Sequence, residues 1–216
     1  MGNQKQKKNQ KAHNHSVTKD QRMRHQIAIE AARLIEEEGV KDFHFAKHKA
    51  AERLHAPNTH NLPRNDEIQE ALYEYQRLFK GESQPEVLKK LRLTSCKAMR
   101  FLHEFQPRLV GAVLDGSASE HSDITLHLFA EPSDSISLFF MDNHINYELE
   151  SDWLTLANGE TEERPMYSVL LDDTPIYLVV FDLIGLRQAP RSAITGKPMP
   201  RANLDKVEVL LNEPSS

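Results

Sequence analysis

Cysteine is almost missing. Cys96 is the one thiol in 216 residues, so no intrachain disulfide can form, and a reducing, cytoplasmic setting is expected. Long apolar runs are missing too; none approaches the roughly 20 residues that a bilayer span needs, so no membrane partner is expected. The N-terminus is basic but lacks the apolar centre of an export signal. Glycine is scarce, eight in all, and the one Gly-Lys pair, Gly196-Lys197, runs into Pro198 where a phosphate-binding loop needs Ser or Thr. H-E-x-x-H and G-x-S-x-G are absent, which removes the usual zinc-protease and hydrolase motifs.

What is present is enough for a core and uneven in charge. Apolar residues make up 39 % of the chain, while a mean hydropathy of -0.59 implies much solvated surface. Residues 1–25 hold seven Lys/Arg (Lys5, Lys7, Lys8, Lys11, Lys19, Arg22, Arg24) against Asp20, and the remainder carries a net charge of -11. Residues 1–19, nearly free of apolar side chains, read as a disordered basic tail. Such an arm suits phosphate backbones on RNA, the ribosome or DNA, and equally a solubilising role. No aromatic residue interleaves its lysines, so base stacking is not indicated.

Residues 20–82 read as a helical region. Ile27, Ala31, Leu34 and Ile35 share one face of a helix over 21–38 that Gly39 stops. Asp42 is placed to cap a second helix reaching about His55, with Phe43, Ala46, Ala50 and Leu54 as its apolar stripe. Asn65 opens a third, lined by Ile68, Leu72, Tyr75, Leu78 and Phe79, which ends before Gly81. From residue 83 onward a second region begins. Ser83 with Glu86 forms a capping box, and Pro85 suits the first turn of a helix carrying Leu88, Leu91, Ser95, Met99 and Leu102.

From Arg108 the period becomes two. Leu109–Leu114 reads as a strand ending in an Asp115-Gly116-Ser117 turn, and Asp123 to Leu128 alternates as a half-buried strand. A short helix over 134–141 follows, with Asn143 as its left-handed terminator. Strand-like stretches then lie at 145–149, 153–156, 166–171 and 176–181, with turns at Asn158-Gly159 and Asp172-Asp173. Asn203 caps a last helix. Helices first and strands later give an α+β class: an N-terminal helical region, then a mixed or antiparallel sheet with flanking helices over 83–216.

A Gly-Ser turn leading to a strand that opens on Asp123 resembles the signature of the nucleotidyltransferase (polymerase beta-like) fold. More narrowly, RHQIAIEAARL (24–34), AKHKAAERL (46–54), LPRNDEIQEALYEYQRLF (62–79) and LVGAVLDG (109–116) resemble a group of uncharacterised bacterial proteins with this layout. Members carry nucleotidyltransferase labels and sometimes muramate–alanine ligase labels; the missing phosphate loop argues against the ligase. The resemblance implies that Gly116 and Ser117 approach a nucleotide's phosphates and that Asp123 is a catalytic, Mg²⁺-binding carboxylate. The second carboxylate position is Thr125. The third falls on the 176–181 strand, where Tyr177 or Val179 faces the same side. That set implies nucleotide binding with an incomplete catalytic centre, a pseudoenzyme, or else a non-catalytic nucleic-acid or protein interaction module built on the tail and the helical half.

Outside this motif, Arg187, Arg191, Lys197 and Arg201 put four cations into fifteen residues without an acid, a candidate phosphate clamp or a solvated loop. His44 and His48 lie one helical turn apart, a spacing open to Zn²⁺. Cys96 reads as a packed thiol, and His127 as an exposed or hydrogen-bonded strand residue.

Overall fold

The computed structural model describes residues 2–81 and 83–212, with side chains from Asp20 onward. The expected tail, residues 1–19, therefore lies outside the residues described at side-chain level. The chain divides into two compact units, residues 1–79 and 80–216.

The first unit is three helices: α1 (Gly2–Glu38), α2 (Phe43–Arg53) and α3 (Asn65–Phe79). Ile27, Ala31 and Leu34 of α1 pack on Ala46, Ala50 and Ala51 of α2 and on Ile68 of α3. Small alanines at this seam let helix backbones approach closely. Asp42 accepts the Phe45 N–H at 2.5 Å, the N-cap bond its side chain was expected to make. Helix α2 stops at Arg53 rather than His55, and His55 takes a left-handed conformation, φ +56°. Charged side chains tie the bundle together: Arg24 holds Glu67 through two nitrogens, and Arg53 bridges Glu30 and Glu38. The Arg53 pairs are exposed and add little each, while the Arg24–Glu67 pair is half-buried.

The second unit is an α+β domain. Helix α4 (Gln84–Phe101) leads into β1 (Arg108–Val110), α5 (Ala112–Asp115), β2 (Ile124–Phe129) and α6 (Ser135–Asp142). Then come β3 (Glu148–Thr155), β4 (Thr161–Leu171), β5 (Thr174–Phe181) and α7 (Leu204–Asn212). The five strands form one mixed sheet in the order β1-β2-β5-β4-β3. Only β2 and β5 run parallel; the other neighbours are antiparallel. Ile124, Leu126 and Leu128 alternate with Thr125, His127 and Phe129, so β2 has two distinct faces. One face, with Ile176, Leu178 and Val180 of β5, packs under Leu91 and Met99 of α4, Phe140 of α6 and Val207 of α7. This is the main core. The other face carries a smaller apolar patch of Phe129, Val179 and Phe181.

Several local expectations change. The 109–114 run is not one strand: β1 ends at Val110, Gly111 turns the chain, and Ala112–Asp115 is a helical turn closed by Gly116 at φ +93°. Ser83 makes no capping bond. The left-handed residue after α6 is His144, φ +56°, not Asn143. The stretches 145–149 and 153–156 belong to one strand, β3, with Ile145 and Tyr147 packed on the core before it. Asp172 and Asp173 both have positive φ, the backbone of a type I′ hairpin turn.

Candidate functional site

The second face of the sheet gathers Thr125, His127, Tyr177 and Arg201, with Asp123 at its end. Thr125 stands in register with Tyr177 across the parallel β2–β5 pair, and with Val110 across the β1–β2 pair. Asp123 lies one residue before β2, partly buried. Gly111, directly after Val110, is thereby carried to the same end of the sheet as Asp123. It is exposed, with φ +70° and ψ -154°, and a Cβ built there meets nothing within 4 Å. The glycine is required by backbone conformation, not by crowding.

Gly116 and Ser117 do not form the corner expected of them. Gly116 terminates α5, and the buried Ser117 donates its hydroxyl to Asp115 Oδ1 at 2.7 Å, while Asp115 Oδ1 also accepts the Ser117 N–H at 2.9 Å. Gln84 Nε2 donates to the Gly116 carbonyl at 2.8 Å. These groups fasten the α5–β2 link to α4. The strand-to-turn corner beside Asp123 is Val110-Gly111-Ala112, twelve residues before the carboxylate. Sequence reading missed it because the apolar run continues through it; the one signal was a glycine inside that run.

Further along β2, His127 is 1 % exposed and accepts from Arg201 Nε through Nδ1 at 2.8 Å. Arg201 also donates Nη1 to the Gly185 carbonyl at 2.5 Å and lies 5.1 and 4.8 Å from the Phe129 and Phe181 ring centroids. Its backbone neighbour Ala202 bridges Leu109 on the outer side of β1, which carries the arginine over β1 toward the middle of the sheet. Burial lowers the His127 imidazole to about 3, helped by the Arg201 charge. Burial likewise lowers the Arg201 guanidinium to about 10, helped by Arg108. Cation–π contact with two rings offsets part of that desolvation. Arg164 reaches the Phe181 ring as well, its guanidinium carbon 5.4 Å from the centroid.

The four loop cations are therefore not one clamp. Arg201 is turned inward on the sheet, whereas Arg191 donates to the Ala157 carbonyl at 2.8 Å beside the β3–β4 turn. Arg187 closes the single-turn helix Leu183–Leu186, and Lys197 is exposed on the far limb of the loop.

Elsewhere the candidates are quieter. The His44 and His48 rings lie 4.4 Å apart between centroids, tilted by 49°, and among the described residues no group of three His, Cys, Asp or Glu side chains is arranged to hold a metal ion. Cys96 is buried, and burial raises its thiol; it is a packing residue. The helical unit contains a cleft of about 680 Å³ between α1 and α3, lined by Arg24, His25, Glu67, Glu70 and Glu74 among others. Its walls are mixed, with the acids Asp20, Glu67, Glu70 and Glu74 set against Arg24 and His25, and carry no Ser, Thr, Cys or Lys. Among the described residues no helix is long and apolar enough to cross a membrane.

No known family, curated protein or solved structure matches this chain.

Proposed function

We propose that residues 80–216 are a nucleotidyltransferase-like domain that binds a nucleotide or another phosphate-bearing ligand without catalysing transfer. One observation carries the reading: the Val110-Gly111-Ala112 corner is carried to the same end of the sheet as Asp123, which immediately precedes the strand whose Thr125 stands abreast of Tyr177. The fold resembled in sequence has that plan, with an exposed glycine corner next to a carboxylate-bearing strand and a third position on a neighbouring strand. Counting the link from Gly111 rather than Gly116 also adds five residues to it, which supports the comparison, since the count from Gly116 falls short of the family's spacing.

The side chains at the three positions do not fit Mg²⁺. Asp123 is one carboxylate; Thr125 offers a neutral hydroxyl and Tyr177 a phenol. A hard cation that dehydrates reluctantly needs more charge than this, and in-line phosphoryl transfer needs the cation to clamp attacking and leaving oxygens. Binding is what remains. An exposed glycine leaves its backbone N–H open to a phosphate oxygen, the same use of bare backbone seen in anion-binding turns.

The reading is tested by restoring the missing groups. Thr125→Asp and Tyr177→Asp, separately and together, place carboxylates beside Asp123. The double variant is expected to bind Mn²⁺, read by loss of the free-ion paramagnetic signal, while the natural chain does not. Mg²⁺-dependent release of pyrophosphate by the natural chain, lost in Asp123→Ala, would overturn the non-catalytic reading.

A further inference from the structure

The β3 edge, three strands across the sheet from β2, carries a second candidate surface. Between Ile145 and Glu163 the chain holds six acids and no Lys, Arg or His. Three of them, Glu148, Glu150 and Asp152, alternate along β3, the last strand of the sheet. Among the described residues none of the three has an ion-pair partner. Arg164, in register with Asp152 on β4, turns to Glu162 instead, at 2.8 Å. On the opposite face of β3 stand Leu149 and Trp153, 59 % and 64 % exposed. Among the described residues the outer edge is met at its far end, where Arg191 donates its backbone N–H to the Thr155 carbonyl at 2.7 Å.

Charge on an edge strand is a common guard against unwanted pairing. A guard has no use for an exposed tryptophan and leucine on the other face of the same strand. We propose that the outer edge of β3 docks an extended cationic segment of a partner protein, which adds as a sixth strand. Its basic side chains meet Glu148, Glu150 and Asp152, and the alternate apolar ones lie over Leu149 and Trp153. A second copy of the chain does not fit, because two β3 edges would set carboxylates opposite carboxylates. Residues 1–19 supply lysines but no alternating apolar residues. Burial raises the Asp152 carboxyl, in keeping with a carboxylate still lacking its cation.

The test uses the full chain and a nine-residue peptide of alternating Lys and Val, with two controls. One has the same composition in two blocks; the other is N-methylated at every second residue to remove strand pairing while keeping charge. Trp153 is the chain's one tryptophan, so its emission reports on this edge alone. The expected result is saturable binding with a blue shift, weakened at least tenfold by either control peptide and by Glu150→Lys. Calorimetry with Trp153→Ala is expected to show a similar loss. Equal binding of the N-methylated peptide would reduce the effect to bulk charge and overturn the proposal. So would no binding of the alternating peptide at millimolar concentration, or a blue shift that depends only on the protein's own concentration.

Discussion

His127 has a hydrogen atom's worth of consequence for stability. Its Nδ1 must keep a lone pair to accept from Arg201 Nε, so the folded ring is neutral, and burial holds it to about 3. An unfolded imidazole titrates near 6.5. Between those values the unfolded chain binds a proton that the folded chain refuses, so stability falls as pH drops from about 6.5 toward 3 and is unaffected by this group above that window. His127→Gln, which keeps an acceptor, is expected to flatten the dependence by up to one proton in urea titrations at pH 7, 5.5 and 4.5; an unchanged slope would contradict the assignment. Arg201→Met removes the donor, leaves the Gly185 carbonyl without it and loses two ring contacts. A cost of roughly 2–4 kcal/mol is expected from denaturant midpoints. Of this pair the sequence makes only half legible. His127 falls on an alternating strand and reads as either exposed or hydrogen-bonded, of which the structure takes the second, but Arg201 reads as one of four loop cations. The partners lie 74 residues apart, and nothing local joins them.

At the scale of elements, the turn from β1 into α5 decides where the candidate site is. Five apolar side chains and one glycine in a row suit a buried strand or a buried helical turn equally, and the chain takes some of each, split at Gly111. The glycine's φ of +70° with ψ of -154° lies in a region essentially closed to other residues. Gly111→Ala meets no steric neighbour, so its cost is backbone strain alone, about 1–3 kcal/mol. The same change at Gly185 is of another kind, since its Cβ would sit 2.7 Å from Phe181 Cβ. If Gly111→Ala proves neutral in thermal unfolding, the corner is misplaced. Signals with a local mechanism read well: the Asp42 cap, the Asp172-Asp173 hairpin and the Asn203 cap, whose Oδ1 accepts the Lys206 N–H at 3.2 Å. Those that tertiary packing can override, such as the Ser83 capping box, do not.

For the whole molecule, the division into two units falls between residues 79 and 80, ahead of helix α4 and well before Arg108 where the period changes, and each unit encloses its own apolar cluster. Separately expressed 20–79 and 80–216 are accordingly expected to unfold cooperatively, each with its own midpoint; a molten 80–216 fragment would contradict this. The α+β class is legible from the order of elements, which leaves the sheet open as mixed or antiparallel. The β1-β2-β5-β4-β3 order is not, because the parallel pairing of β2 with β5 rests on contacts across some fifty residues of intervening chain. That pairing sets Tyr177 beside Thr125 and so decides what the site lacks. The most direct measurement is calorimetric titration of the full chain with ATP, CTP, GTP and UTP, with and without Mg²⁺. The account predicts binding of at least one nucleotide with an affinity that Mg²⁺ does not improve. Tight binding that appears only with Mg²⁺, or no binding of any of the four, would contradict it.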